Sequence, residues 1–482
     1  MNTPAAAPWL QSGAVQLDVM TAMRLTPGGI AARQATRLSR LLEVASQQSS
    51  WYRKILRGRS VEQTPLAHWP STCKAELMHH FSDWVTDPRL ELEALRDFTR
   101  DPARIGEPYL GRYAIWESSG SSGETGLFVQ DEQALAVYDA LESVRPHAPR
   151  PWQRLFDPLF LGERLAFIGA TEGHFASQVS VQRLRRRCPW LSPSLRSFSI
   201  LQPTHALVEQ LNAFAPTIIA TYPTAAALLA DQAKCGALLA RPRECWTGGE
   251  TLTAAVRADV ESALGCAVRN NYGASEFLSI AWECAQGRLH VNSDWVILEP
   301  VDRDHRPVPA GEPGHTTLLT NLANHVQPLI RYDLGDQVSF ASQGCGCGSP
   351  FPVISVEGRC DDVLHLNGEG QRRVVLLPLA LTTALEVGAG LIDFQVCQRD
   401  AHTLELRVGQ AGAEGAAALE RGRVVLLATL REQGLGAVRV IESLGVRPEH
   451  GRSGKVKRVI ALMAEDRAAP RKHRTAAKDA HG

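Results

Sequence analysis

The sequence predicts an α/β protein: a large N-terminal domain built on a mainly parallel sheet, followed by a small α+β domain. Three observations carry this expectation. Between about residues 112 and 340, short apolar stretches alternate with helical patterns, as in layered α/β architectures. After Gly358 the pattern resets to short strands and one long helix. The composition, 482 residues with 44% apolar and 21% charged, is that of an ordinary globular protein with ample core. At roughly 150 residues per domain, this length suggests two or three units. The expected divisions are 1–358, 359–466 and a polar, basic, unstructured tail at 467–482.

The elements follow in order. Residues 1 to about 60 read as helical, with Ala31 to Val44 carrying an apolar stripe and Arg33, Arg37 and Arg40 on the opposite face. Short helices split by Pro65, Pro70, Pro88 and Pro102 come next. Tyr113 to Trp116, Leu165 to Ala170 and Thr217 to Thr221 read as strands. Ala225 to Ala233 and Thr253 to Leu264 read as helices. Val291 to Thr320 shows strand patterns around turn signals and predicts an antiparallel section. In the small domain, strands are expected near Val363 to Leu366, Val374 to Leu377, Phe394 to Gln398 and Thr403 to Val408, then a helix over Glu414 to Gln433.

Charge excludes some functions. Lys plus Arg and Asp plus Glu are 51 each, so the formal net charge is zero and there is no basic footprint for nucleic acid. No apolar run approaches the ~18 residues of a membrane span. The first Arg is Arg24, so no basic region of a signal peptide is seen, and the ten Cys are scattered. A cytoplasmic protein is expected, with no membrane association.

Five short motifs stand in a fixed order. Ser118-Ser-Gly-Ser-Ser-Gly-Glu-Thr-Gly126 combines three Gly with five hydroxyl residues, and such a loop can offer N–H and O–H donors to an anion. No Gly-Lys-Ser/Thr follows, so it is not a Walker A loop; standing alone it reads first as a flexible linker. Tyr272-Gly-Ala-Ser-Glu276, Asp333-Leu-Gly-Asp336, Gly358-Arg-Cys-Asp-Asp362 and Gly454-Lys455 follow. With Gly248-Gly-Glu250, this set resembles the phenylacetate–CoA ligase-like branch of the adenylate-forming enzymes over about residues 50 to 460.

The resemblance implies a large AMP-binding domain, a small mobile domain, and ATP-dependent activation of a carboxylic acid to an acyl-adenylate before transfer to a thiol. It assigns the phosphates to Ser118, Ser121, Ser122 and Gly123. The family loop often has Lys-Pro where this chain has Glu124-Thr125, which removes one positive charge. Gly248, Gly249, Glu250, Tyr272 and Gly273 would form the adenine pocket, the ring stacking on Tyr272. Ser275 stands where the family mostly has Thr. Glu276 would help bind Mg²⁺, and Asp336 would accept both ribose hydroxyls. Arg359 would contact the nucleotide, Asp361 would be the hinge, and Lys455 would neutralise charge in the adenylation transition state.

Other residues are less tightly specified. Cys284-x5-His290 with Cys345-Gly-Cys347 supplies four ligands suited to a closed, structural zinc site, or else four free side chains. His174, Tyr222 and Ala274 fall by position at the acyl pocket; His174 either meets the substrate carboxylate or is a hydrogen-bonded core histidine. The pocket would take a ring or a medium chain. Asn367 to Arg373 reads as a hairpin tip whose Arg372 and Arg373 either meet the phosphates of CoA or of a carrier protein's phosphopantetheine, or are simply solvated. The leading expectation is an acid–thiol ligase using ATP, Mg²⁺ and CoA, with an aryl or arylacetic acid as substrate. The alternatives are a freestanding adenylation protein that loads an acyl carrier protein, and a non-catalytic nucleotide-binding protein on the same fold. A homodimer is compatible with any of these.

Overall fold

The computed structural model of the chain describes residues 8–57, 64–118, 125–145, 157, 162–357, 364–368, 372–376, 378–391, 394–446 and 458–461. Two N-terminal helices, Pro8–Ala22 and Pro27–Gln48, open it. The second begins where its sequence says it should: Pro27 occupies the first turn and Thr26 Oγ1 accepts from Gly29 N. Its Arg33 and Arg37, opposite the apolar stripe in the sequence, are engaged in ion pairs. Both reach Asp18 of the first helix, and Arg37 continues to the carboxylate of Asp294 at 3.4 Å. Asp294 is fully buried and takes two further bonds from the buried Arg145, at 2.8 and 2.6 Å. A buried acid must be paired, and these arginines pair it.

Strands β1 (Ala114–Glu117) and β2 (Leu127–Gln130) form an antiparallel pair. Then come β3 (Leu165–Gly169), β4 (Leu195–Ser199), β5 (Ile218–Thr221), β6 (Glu244–Gly248), β7 (Ala267–Ala274), β8 (Phe277–Glu283) and β9 (Leu289–Val291). Strands β10 (Val296–Val301), β11 (Thr316–Asn321) and β12 (Tyr332–Asp333) make a separate antiparallel sheet. Strands β13 (Gln337–Phe340) and β14 (Val353–Glu357) join the main sheet, whose order is β13-β14-β9-β8-β7-β6-β5-β3-β4.

Five strands of that sheet, β4-β3-β5-β6-β7, are parallel. Each connection between them carries a helix: Ala176–Arg187, Thr204–Phe214, Pro223–Lys234 and Ala254–Leu264. The alternation in the sequence is therefore a run of βαβ units. Helix starts are locally encoded, as at Thr253, whose hydroxyl accepts from Val256 N, and Gly265 ends that helix in the left-handed conformation. Ile168, Ile219, Cys245 and Val268 on the sheet pack against Leu211, Phe214, Leu229 and Leu264 of the helices.

Beyond residue 363 a distinct apolar cluster forms. The expected hairpin is present as β15 (Leu364–Asn367) and β16 (Arg373–Leu376), with Asn367 opposite Arg373. A four-stranded sheet follows, made of β17 (Phe394–Asp400), β18 (Thr403–Val408), β19 (Arg439–Leu444) and β20 (Val459–Ile460) in the order β19-β18-β17-β20. The Gly412–Glu432 helix packs Leu419, Leu426 and Leu430 into the cluster. Residues of this region meet the larger one where Gln433 Nε2, at the end of that helix, donates to Leu201 O at 2.9 Å, and where Ala380 of the Pro378–Thr383 helix joins Ile200, Ala225 and Leu228.

Candidate active site and metal centre

The chain runs from β3 outward to β4, then returns to place β5 on the other side of β3. In open α/β sheets, ligands bind outside the carboxyl ends of the strands beside such a reversal. Among the described residues a cleft of about 1390 Å³ opens there. Tyr222 follows β5, Gly248 ends β6, and Tyr272 to Ala274 end β7. The cleft wall contains these residues together with Ser118, Gly249, Glu250, Ser275, Glu276 and Asp336. Motifs scattered over more than 200 residues of sequence thus meet at one edge of the sheet.

Two paired contacts organise the mouth. The Tyr272 hydroxyl donates to Asp336 Oδ2 at 2.9 Å, both residues half-buried. The Tyr332 hydroxyl donates to Glu276 Oε1 at 2.8 Å, with Tyr332 2% and Glu276 8% exposed. Burial, with the Glu276 charge beside it, holds the Tyr332 phenol well above its ordinary range, so it stays a donor. The backbone of the same motif is also held, by Trp116 Nε1 on Ser275 O and Asn321 Nδ2 on Glu276 O.

Glycines at the strand ends have steric causes. A β-bulge falls between Tyr272 and Ala274, and a Cβ on Gly273 would lie 1.8 Å from Leu278 O. Gly249 has φ near +78°, and a Cβ there would meet the Tyr222 ring at 3.2 Å. Tyr222 in turn is raised to about 12 by burial and the charge of Glu250. The Glu250 carboxylate takes the N–H and hydroxyl of Thr224 at 3.0 and 3.1 Å. Its charge therefore sits at the start of the Pro223–Lys234 helix while its chain lines the cleft.

Ser118 is 7% exposed and closes the base of its loop: its N–H donates to Gly126 O at 2.8 Å and its Oγ accepts from Gly126 N at 3.0 Å. Its O–H remains a donor. Ser121, Ser122, Gly123, Arg359, Asp361 and Lys455 lie outside the described residues. His174 does not line the cleft. It is 1% exposed, with Nε2 3.1 Å from Asp101 O and its ring edge-on to Phe98. Of its two sequence readings, the structure gives the core histidine. Tyr332, Lys74 and Asn271 line the cleft without having been singled out. Asn271 adjoins Tyr272 in sequence and Tyr332 lies inside the Arg331 to Asp336 segment, so both carried a positional signal; Lys74 had none.

A second constellation lies along β8 and β9. The ligand atoms of Cys284, His290, Cys345 and Cys347 are all within 4.8 Å of one another. Cys284 Sγ is 3.8 Å from Cys345 Sγ, and Cys347 Sγ is 3.3 Å from His290 Nε2. Tetrahedral zinc with bonds of about 2.0–2.3 Å requires ligand separations of roughly 3.3–3.8 Å. His290 Nδ1 lies 2.8 Å from Phe351 O, which directs Nε2 towards the thiols, and burial lowers the imidazole's pKa. Two of the separations match that range, and the contact at Nδ1 leaves Nε2 for the metal, so the donor set suits zinc.

With this geometry in place, comparison with known proteins is informative. No protein-family model matches the chain. Over 176 residues, 34% of the chain, it is 31% identical to a phenylacetate-coenzyme A ligase of Thermus thermophilus. Over 205 residues, 40% of the chain, it is 28% identical to protein CapK of Staphylococcus aureus. These alignments span 39% and 42% of the relatives' own lengths. Among solved structures, two of 2-hydroxyisobutyryl-CoA ligase superpose along nearly the whole chain. One, with its acyl-AMP and CoA, gives a TM-score of 0.55 at 20% identity, covering 96% of this chain and 94% of that one. The other gives 0.52 at 21% identity, covering 97% and 95%. The chain shares the fold of this CoA ligase. That shared fold accounts for the α/β class. No helix among the described residues is long and apolar enough to cross a membrane.

Proposed function

We propose that this chain is an AMP-forming acid–thiol ligase. It would join a carboxylic acid to ATP, release pyrophosphate, and pass the acyl group from the acyl-AMP to a thiol. The observation that carries this reading is the convergence of the Tyr272–Asp336 and Tyr332–Glu276 pairs on one cleft at the carboxyl ends of the parallel strands. Ser118, at the start of the proposed phosphate loop, lines the same cleft.

Each group has a chemical task. The Asp336 carboxylate accepts from the ribose hydroxyls, and its bond to Tyr272 fixes both the acceptor and the ring beside the adenine. Glu276 is the carboxylate for Mg²⁺, and Tyr332 fixes its orientation by occupying Oε1. Mg²⁺ and carboxylate together suit the phosphate oxygens. Residues 359–466 form a mobile unit turning at Asp361, with Arg359 and Lys455 brought to the nucleotide. Lys455 then neutralises charge between the attacking carboxylate and the α-phosphate. The exposed Arg372 and Arg373 edge the hairpin and suit the phosphates of a CoA thiol.

An aryl or arylacetic acid is the first substrate class, supported by the phenylacetate ligase among the relatives. The zinc would be structural, since all four positions are protein ligands, and would tie the β8–β9 turn to the segment before β14. A hydroxylamine-trapping screen over aromatic, hydroxy-aliphatic and amino acids tests the reading, with free CoA as the competing acceptor. Hydroxamate formation with one acid class and consumption of CoA are expected. AMP formation with no acid in the panel would overturn the ligase reading, and acyl-AMP formation without use of CoA would redirect it to a carrier protein.

A further inference from the structure

Resting on the ligase reading, we propose that the acid is an aromatic one with a hydroxyl or amino group on its ring, and that Asn271 selects it by hydrogen bonding to that group. Asn271 lines the cleft, and its Oδ1 is buried with no hydrogen-bond partner among the described residues. An unpaired buried acceptor is unfavourable, and a ligand that brings a donor to it relieves that cost. A hydroxyl and an amino group share the donor that Oδ1 lacks.

Alternation along β7 separates nucleotide from acid. Successive side chains of a strand point to opposite faces. Tyr272 turns to Asp336 at the nucleoside side, so Asn271 points to the other face of the sheet. Arg269, two residues earlier, shares the face of Asn271 but is already engaged. It pairs with Glu244 at 2.6 Å, and its guanidinium lies 5.4 Å from the centre of the Trp246 ring. On this part of β7, Asn271 is therefore the polar group left to a ligand.

The strand register supplies its surroundings. Phe167, Ala220, Trp246 and Arg269 stand side by side in one rung of β3, β5, β6 and β7. In the next rung towards the carboxyl ends, Gly248 flanks Asn271 on one side and Trp282 on the other. A Cβ on Gly248 would lie 3.9 Å from Asn271 Cβ, so glycine there keeps the amide uncovered. Ala220 is small in the same way, and Phe167 and Trp246 flank it two strand spacings apart, about 9–10 Å. The Phe167 ring leans over Gly169, where a Cβ would lie 2.6 Å from its Cζ, and this brings it level with the Asn271 rung. Two rigid aromatic walls over a floor of Ala220 and Gly248 suit a flat ring. The Ala176–Arg187 helix adds Ser180 to the cleft wall, its Oγ also buried without a partner among the described residues. An apolar slot with a few unpaired polar groups selects the ring's substituent as well as its shape.

The test measures kcat/KM for acid-dependent pyrophosphate release with benzoic and phenylacetic acids carrying hydrogen, methyl, methoxy, hydroxyl or amino at each ring position. Wild type, Asn271→Leu and Asn271→Asp are compared, with equilibrium binding of AMP measured in each. At one ring position wild type should prefer the hydroxyl or the amino acid to the methyl one by roughly 10- to 100-fold, and the better of the two names the donor. Asn271→Leu should bring that ratio close to one while binding AMP as wild type does, which also shows it to be folded. Asn271→Asp, which keeps an acceptor, should retain the preference. A wild-type preference for methyl, methoxy or unsubstituted acids at every position would overturn the assignment, whatever the variants do. So would a donor preference that survives in Asn271→Leu, or a folded Asn271→Leu that loses AMP. These results leave the ligase reading intact, whereas pyrophosphate release with no acid of any class would overturn both.

Discussion

Tyr332→Phe isolates the buried contact on which the orientation of Glu276 depends. The ring is 2% exposed and packs in the main core, and Phe keeps that packing. What is lost is one hydroxyl 2.8 Å from Glu276 Oε1. A buried hydrogen bond to a charged group is worth about 1.5–3 kcal/mol, against about 0.5–1.5 for a neutral pair. Chemical denaturation at neutral pH should therefore show Tyr332→Phe less stable by about 1.5–3 kcal/mol. In a Glu276→Gln background the same change should cost only about 0.5–1.5 kcal/mol, because a neutral amide oxygen replaces the carboxylate. The coupling of about 1 kcal/mol between the two is the quantity that matters. A cost below about 0.5 kcal/mol, or equal costs in both backgrounds, would refute a charged, buried Tyr332–Glu276 contact.

Three further outcomes follow from the geometry. Elemental analysis should find one zinc per chain, and Cys347→Ser or chelation should lower the melting temperature; absence of zinc in the purified protein would remove the metal centre. Gly273→Ala should cost at least about 1–3 kcal/mol and weaken AMP, because its Cβ would lie 1.8 Å from Leu278 O; unchanged stability would contradict the bulge. His325 is lowered to about 4 from 6.5, first by burial and then by the charge of Arg40. The unfolded chain binds that proton first, so stability should be full above pH 6.5 and fall as pH drops towards 4. His325→Asn should flatten the fall by about 1–3 kcal/mol, and an unaltered pH profile would count against the burial of the neutral ring.

Among the parallel strands, β3 and β5 were legible because each is a short apolar run buried along most of its length, whereas β4, β6 and β7 mix in polar residues and gave no such run. Helix starts such as Thr253 were legible because the cap is local. The cysteine cluster was legible for a similar reason: two close pairs in sequence, Cys284 with His290 and Cys345 with Cys347, only had to meet once. Contacts between distant single residues were not legible. Nothing in the spacing tells Tyr332 to find Glu276, 56 positions earlier, or brings Lys74 to the loop base. The partner of Arg37 was not legible because periodicity shows which face of a helix is polar, not that a buried acid such as Asp294 waits opposite it. His174 was ambiguous for the opposite reason, since one His beside apolar residues suits a pocket and a core alike. The backbone carbonyl of Asp101, 73 positions away, is the partner found in the fold.

The proposed activation of a carboxylate on ATP in this cleft is measured alone by carboxylate-dependent exchange of labelled pyrophosphate into ATP. With its acid present, the wild-type protein should catalyse exchange, and both Lys455→Ala and Asp336→Ala should abolish it. Exchange that proceeds without any acid, or that survives both substitutions unchanged, would contradict the account.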